Sequence, residues 1–242
     1  MSRYPNPLTL MLVVLIMPCA GVAQTASLGF IGGIQGTFVL PSVTPAFETA
    51  SITTGFPTGT GSIGYTSRAK PFTFGPTVEV SLPRGLAVEF DALYKRLDYN
   101  YKFIGPVSGL LAFKEDQNII SRWDLPLLLK YRLRNIAHRP YFSGGLNTNY
   151  IVNTTDSQRL APDYQDHPFT LPPSHKPPSE LRYRSSEGVV VAGGFEFSLH
   201  RIRLAPELRY TRWAHENFHS VLFRSNLDQA ELLVTVGLVN PQ

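Results

Sequence analysis

Strict two-residue alternation in residues 201–213, RIRLAPELRYTRW, constrains this chain more than any other feature. Arg203, Ala205, Glu207, Arg209 and Thr211 fall on one parity, and Leu204, Pro206, Leu208 and Tyr210 on the other. Successive side chains of an extended chain point to opposite faces, so the stretch is a strand with one polar and one apolar face. Alternation alone does not say which face meets water. A soluble sheet turns its charges outward, whereas a closed barrel in lipid turns them inward.

The same period recurs along the chain. FTFGPTVEVSL sets Phe72, Phe74, Pro76, Val78, Val80 and Leu82 against Thr73, Gly75, Thr77, Glu79 and Ser81. WDLPLLLKYRL sets Trp123, Leu125, Leu127, Leu129 and Tyr131 against Asp124, Pro126, Leu128, Lys130 and Arg132. LAVEFDALYK, VVVAGGFEF and ELLVTVGL behave alike, with Glu89, Asp91, Lys95, Glu196 and Glu231 on their polar sides. No segment has a persuasive helical period. The expectation is eight strands, at about 27–39, 71–82, 86–103, 117–133, 140–154, 183–199, 202–214 and 227–239.

The linkers between these segments alternate in length. Three are short: Pro83-Arg84-Gly85, residues 134–139, and His200-Arg201. Four are longer, at about 40–70, 104–116, 155–182 and 215–226. An up-and-down barrel with one tight rim and one rim of extended loops has this asymmetry, as outer-membrane barrels do.

Three observations place the polar face inside. It is rich in small residues (Gly75, Ala87, Gly145, Gly194, Ala205 and Gly237 among them), as the narrow interior of an eight-stranded barrel requires. Its charges are mixed in sign: Glu79, Glu89, Asp91, Asp124, Glu196, Glu207 and Glu231 against Lys95, Lys130, Arg132, Arg203 and Arg209. Buried charges must be paired, and this set can pair into one lumen network. Finally, aromatics gather near segment ends: Trp123, Tyr131, Tyr141, Tyr150, Tyr210 and Trp213 suit girdles at two lipid–water interfaces.

The beginning of the chain reads as an export signal. Arg3 supplies the positive start, residues 8–17 the apolar stretch, and Gly21-Val22-Ala23 a small-x-small site, so residues 1–23 are a cleaved signal peptide and residues 24–242 one domain. That apolar run is too short to span a membrane as a helix. The single cysteine, Cys19, lies inside it, so the mature chain has no thiol for disulfides, thiolate metal sites or cysteine catalysis. The formal net charge of +4 is too weak and too spread to argue for nucleic acid.

The stretches WDLPLLLKYR, RPYFSGGL, GGFEF, PELRYTRW and QAELLVTVGL resemble the outer membrane protein β-barrel domain family of Gram-negative bacteria, across about residues 27–239. The resemblance implies an outer-membrane barrel, usually of eight strands, often with no assigned biochemical role. Such barrels commonly end on an aromatic residue. This chain departs from that pattern, closing as Val239-Asn240-Pro241-Gln242.

Motifs that could carry chemistry have plainer readings. Gly59, Gly61 and Gly64 match a dinucleotide-binding spacing, but the fingerprint needs a strand before and a helix after, and the surroundings read as a Gly/Thr loop. His215, His219 and Ser220, with Glu216 or Glu231, raise a Ser–His hydrolase, yet adjacent His219 and Ser220 diverge in an extended chain. Two histidines four apart would share a metal only on a helix. The proline-rich loop, with Pro162, Pro168, Pro172, Pro173, Pro177 and Pro178, reads as exposed and stiff.

The sequence therefore predicts an all-β, eight-stranded antiparallel up-and-down transmembrane β-barrel, monomeric, in the bacterial outer membrane. Its expected role is structural or surface interaction through loops 40–70 and 155–182, with lipid as its partner and no cofactor, metal or nucleic acid. A narrow small-solute pore is the alternative, and a lipid-modifying hydrolase the second alternative.

Overall fold

The computed structural model describes residues 25–35, 47–49, 51–56, 59–67, 72–107, 110–133, 139–161, 169–199 and 202–238. The segment assigned to the signal peptide lies outside the described residues, as do 134–138 and 200–201 of the tight linkers.

The described strands are β1 (Thr25–Gln35), β2 (Phe47–Thr49), β3 (Ser51–Phe56), β4 (Gly59–Ser67), β5 (Phe72–Ser81), β6 (Leu86–Asp91), β7 (Leu93–Val107) and β8 (Leu110–Arg132). They continue as β9 (Pro140–Ala161), β10 (Phe169–Thr170), β11 (Ser185–Phe195), β12 (Phe197–Leu199), β13 (Ile202–Trp213), β14 (Phe223–Ser225) and β15 (Asp228–Leu238). Every pairing is antiparallel. Following them from β1 leads through β5, β6 with β7, β8, β9, β11 with β12, β13 and β15, and back to β1. The circuit is closed, which removes free edges from the ring. Two of its eight staves are each interrupted at one residue, Ala92 and Glu196.

The tight linker between β5 and β6 is a 3-10 turn, Pro83–Gly85. Arg84 at φ 65 and Gly85 at φ 84 both adopt the left-handed region, which reverses the chain within three residues.

Burial follows parity. Along β5 the exposed positions alternate with buried ones, so Phe72, Phe74, Pro76 and Val78 face out while Thr73, Gly75, Thr77 and Glu79 face in. On β13 Leu208 is 61% exposed, while its neighbours Glu207 and Arg209 are 2% and 0%. That answers the question the alternation posed: the charges are inside, the reverse of a water-soluble sheet. The interior is tight. A Cβ at Gly145 would collide with the Leu127 carbonyl across the ladder, and one at Gly194 would lie 2.7 Å from the Tyr141 hydroxyl.

All four long linkers differ from the expectation of plain loops; the one at 215–226 carries β14, which pairs with β2 of the linker 40–70. The expected loop 104–116 is instead an extension of both flanking strands, paired residue for residue from Leu93↔Asp124 to Val107↔Leu110. The linker 40–70 contains β3 and β4, a hairpin that joins the sheet through β4 and β7. Thus Gly59, Gly61 and Gly64, expected in a loop, sit on a strand; backbone pairing with β3 and β7 overrides their weak strand preference. In the linker 155–182, β9 continues to Ala161 and pairs with β8 throughout. The outcome is a six-stranded run, β10-β9-β8-β7-β4-β3, rising on one side of the ring.

A register shift at Ser121/Arg122 interrupts the β8–β9 ladder, where Ser121 faces Asn153 and Arg122 faces Ile151. Val152 is the extra residue, a β-bulge. Before it Tyr141, Ser143, Asn147, Asn149 and Ile151 are buried; after it Thr154 is.

Candidate functional site: a charged interior beneath a capped mouth

Because inward positions recur every second residue on each stave, the polar side chains stack in layers. Nearest the Pro83–Gly85 turn, the Glu79 carboxylate meets Arg203 Nη1 at 2.6 Å, Arg132 Nη2 at 2.5 Å and Lys130 Nζ at 3.2 Å. Arg132 Nε reaches Glu196 at 2.8 Å. In the next layer Lys130 also pairs with Glu89 and stands 4.3 Å from the Tyr141 ring centroid. Arg209 divides its guanidinium among Glu207 at 2.7 Å, Asp91 at 2.9 Å and Glu89 at 3.4 Å. In the third layer Lys95 bridges Asp124 at 2.6 Å and Glu231 at 2.7 Å. All twelve charged residues singled out from the sequence enter these ion pairs. An apolar trio, Ile31, Leu93 and Leu233, packs among them.

Arg122 also belongs to the third layer, in addition to the twelve. Its Nε lies 2.8 Å from Asp124 and its Nη2 donates to Gln229 at 3.0 Å. The signal was available, since Arg122 shares parity with Asp124.

The six aromatics divide. Tyr131, Tyr150 and Tyr210 are exposed. Trp123 packs edge-on against Tyr94 at 5.4 Å, and Tyr94, Phe74 and Phe30 continue as a row across the outer surface. Tyr141 and Trp213, expected in the girdles, point inward instead and are 1% and 4% exposed. Tyr141 donates to Glu207 at 3.0 Å, and the Trp213 indole donates to Gln229 at 3.2 Å with Arg122 over its ring. Their parity with Ser143 and Arg209 decides this: a strand cannot turn one side chain out without breaking the pleat.

Above the charged layers the long linkers form a second, apolar core. Leu97 and Tyr99 of β7, Ile120 of β8 and Ile151 of β9 pack with Phe218 and Phe223, which fold in from residues 214–226, with Tyr65 and Leu181 against them. Tyr99 and Phe223 have ring centroids 4.3 Å apart, and Tyr65 stacks on Phe223 at 5.2 Å. Polar ties close the assembly. Glu180 accepts from Tyr65 at 2.8 Å and from Tyr99 at 3.5 Å. The side-chain amides of Asn149 and Asn217 pair at 3.2 and 3.1 Å, and β14 pairs with β2. Burial, reinforced by Glu180, holds the Tyr65 phenol well above its ordinary range, and Tyr99 likewise.

The proposed hydrolase residues are arranged otherwise. Ser220 donates its hydroxyl to the Phe223 carbonyl at 3.2 Å, and His219 Nδ1 meets Glu216 at 2.5 Å. Glu231 is committed to Lys95 inside the ring. No group of His, Cys, Asp and Glu among the described residues is placed to hold a metal. The described part of the proline-rich segment lies along β9, with Asp156 and Ser174 exchanging backbone hydrogen bonds at 2.8 Å.

A closed antiparallel sheet with an apolar exterior and a charged interior defines a membrane β-barrel class. The sequence profile of the outer membrane protein beta-barrel domain family matches residues 22–212, and the chain belongs to that family. Among solved structures, Neisserial surface protein A (NspA) aligns over 88% of this chain and 95% of its own, at 12% identity and a TM-score of 0.42. Ail, the attachment invasion locus protein of Yersinia pestis, solved with the heparin analogue sucrose octasulfate, aligns over 89% and 99%, at 9% identity and a TM-score of 0.33. No curated protein matches the chain.

Proposed function

We propose that this protein is an eight-stranded, monomeric barrel of the bacterial outer membrane, exported by a signal peptide cleaved after Ala23. It acts as a structural or surface-interaction protein, without enzymatic activity, and presents its elaborated rim to the exterior. The supporting dimensions agree: β1, β5, β11 and β15 run 11, 10, 11 and 11 residues, close to the ~9–11 that span a bilayer. The tight turns are periplasmic and the long rim is extracellular.

One observation carries the reading against a pore: the interior is filled twice over. Ion-paired side chains occupy the ring, and the Tyr65, Tyr99, Phe218 and Phe223 cluster stands over it. A conducting path needs continuous water, and layers of ion-paired side chains under an apolar cap interrupt it. Purified protein reconstituted in planar bilayers is expected to give no stable current. Reproducible unitary steps would overturn the reading and make the inward charges pore residues.

A further inference from the structure

β10 and β11 are joined by residues 171–184, LPPSHKPPSELRYR. Backbone bonds tie this segment down at intervals. Leu171 N–H donates to Gln158, Ser174 exchanges two bonds with Asp156, Arg182 N–H donates to Asn217, and the Arg184 carbonyl accepts from Ile151. Between the ties lie two proline pairs, Pro172-Pro173 and Pro177-Pro178. Proline locks its own φ and confines the residue before it to extended backbone. Leu171–Pro173 and Lys176–Pro178 are therefore held in polyproline-II form by their own covalent chemistry. Pro172, Pro173, His175, Lys176 and Pro177 are all exposed. Protection of a sheet edge accounts for the first pair only, since Pro172 and Pro173 stand where β10 ends against β9. Pro177 and Pro178 follow the Ser174 tie and terminate no strand. The segment is also basic. Lys176, Arg182 and Arg184 are exposed, while the single acid of residues 170–186, Glu180, is half-buried and accepts from Tyr65 and Tyr99.

We propose that residues 171–178 are a ligand for a partner protein outside the cell that carries a shallow groove of aromatic side chains flanked by carboxylates. The inference rests on the surface-interaction reading above and names the chemistry of the partner. Each feature of the segment selects one feature of the groove. Pyrrolidine rings on a stiff backbone pack against flat aromatic faces, and the backbone carbonyls of such a segment accept from donors along the groove. Lys176, between the two pairs, calls for a carboxylate beside them. A polyanion would use the cations and have no need of the rings. Because the segment is tied at both ends, docking costs little conformational freedom, which is the advantage of a preformed ligand.

The probes are soluble WW domains that take proline pairs beside a basic residue, added to the full mature protein in nanodiscs. Saturable binding is expected, read from the fluorescence of the groove tryptophan. Replacing both Pro177→Ala and Pro178→Ala should weaken it by roughly tenfold or more, through lost ring contacts and lost stiffness. Lys176→Glu should weaken it by roughly two- to fivefold, the worth of an exposed pair. Val221→Ser, at a 98% exposed position on another loop, should bind as the native protein does. Protection of the Phe218 amide should stay native in every variant, which separates lost binding from lost folding. Absence of saturable binding, or equal binding by the double alanine variant, would overturn the proposal. Binding that salt abolishes while the prolines prove dispensable would overturn it too, in favour of a polyanion. A nanodisc leaves both ends of the barrel open to the probe, so failure there strikes the ligand and leaves the barrel standing. Binding in nanodiscs without staining of intact cells would instead overturn the outward placement and uphold the ligand chemistry.

Discussion

Replacing Lys130 with methionine removes one cation from the middle layer and leaves a definable imbalance. Glu79 keeps Arg132 and Arg203 at 2.5 and 2.6 Å and stays compensated. Glu89 does not. Its remaining cation is Arg209 at 3.4 Å, which already serves Asp91 and Glu207 at shorter range. One guanidinium would then face three buried carboxylates. Removing one partner of a buried pair costs about 3–5 kcal/mol, because it strands a charge whose desolvation is no longer offset. Lys130→Met is expected to lose that much, measured as the shift in urea-unfolding midpoint of the vesicle-inserted protein at unchanged slope. The structure also says which second change repairs it. Glu89→Gln removes the stranded charge and should recover most of the loss, whereas Glu79→Gln in the same background should recover little. A Lys130→Met loss under about 1 kcal/mol, the worth of an exposed pair, would refute the account. Equal rescue by both glutamines would refute it too, since it would mean that the interior is wet enough to screen charges individually.

Leu208→Arg puts a cation on the lipid side of β13 and should destabilise the inserted protein by roughly 2–4 kcal/mol if it lies near mid-membrane. A cysteine at 208 should react with a lipid-soluble maleimide while one at 207 does not, and the reverse pattern would invert the assignment of faces. The cap should respond to alkaline pH. The Tyr65 and Tyr99 phenols are raised above their ordinary value of 10.0, so the fold favours their protonated form. That stabilisation is complete below pH 10 and is lost as the pH climbs from there toward the raised values. The protection of the Phe218 and Phe223 amides, taken relative to the base-catalysed rate of a free amide at the same pH, should therefore fall above about pH 10 in the native protein and fall less in Tyr65→Phe.

Parity made the spanning part of the molecule legible. Position alone puts Glu207 and Arg209 on the inner face and Leu208 on the outer one, and Glu79 and Lys130 inside likewise, as their burial shows. The two misplaced aromatics, Tyr141 and Trp213, show what happens when a compositional habit competes with a geometric one. Aromatics gather at interfaces, but Tyr141 shares parity with Ser143, and the pleat prevails. The rim was far less legible. The strand nature of residues 59–67 is hidden by their glycines and threonines, because it comes from ladder bonds to β3 and β7 rather than from local preference. The cap is hidden for another reason. Tyr65, Glu180 and Phe223 are separated by more than a hundred and by some forty residues in sequence, and no local pattern announces that they meet.

The extra residue at Val152 has a consequence of another order. A pleated strand is a two-letter lattice in which inside and outside are assigned by counting, and any single insertion would normally scramble everything beyond it. Val152 is a phase boundary. Below it, odd-numbered residues of β9 face the charged interior; above it, Thr154 and Asp156 keep company with Ile120 and Asn118 of β8. The rim and the membrane part are thereby written in separate reading frames. Lengthening or rewriting the outer portion of β9 can be absorbed at that boundary, leaving the Tyr141–Asn149 stretch in register with its ion pairs. One residue thus lets the ring and the rim each keep their own inward set of side chains on a single unbroken strand.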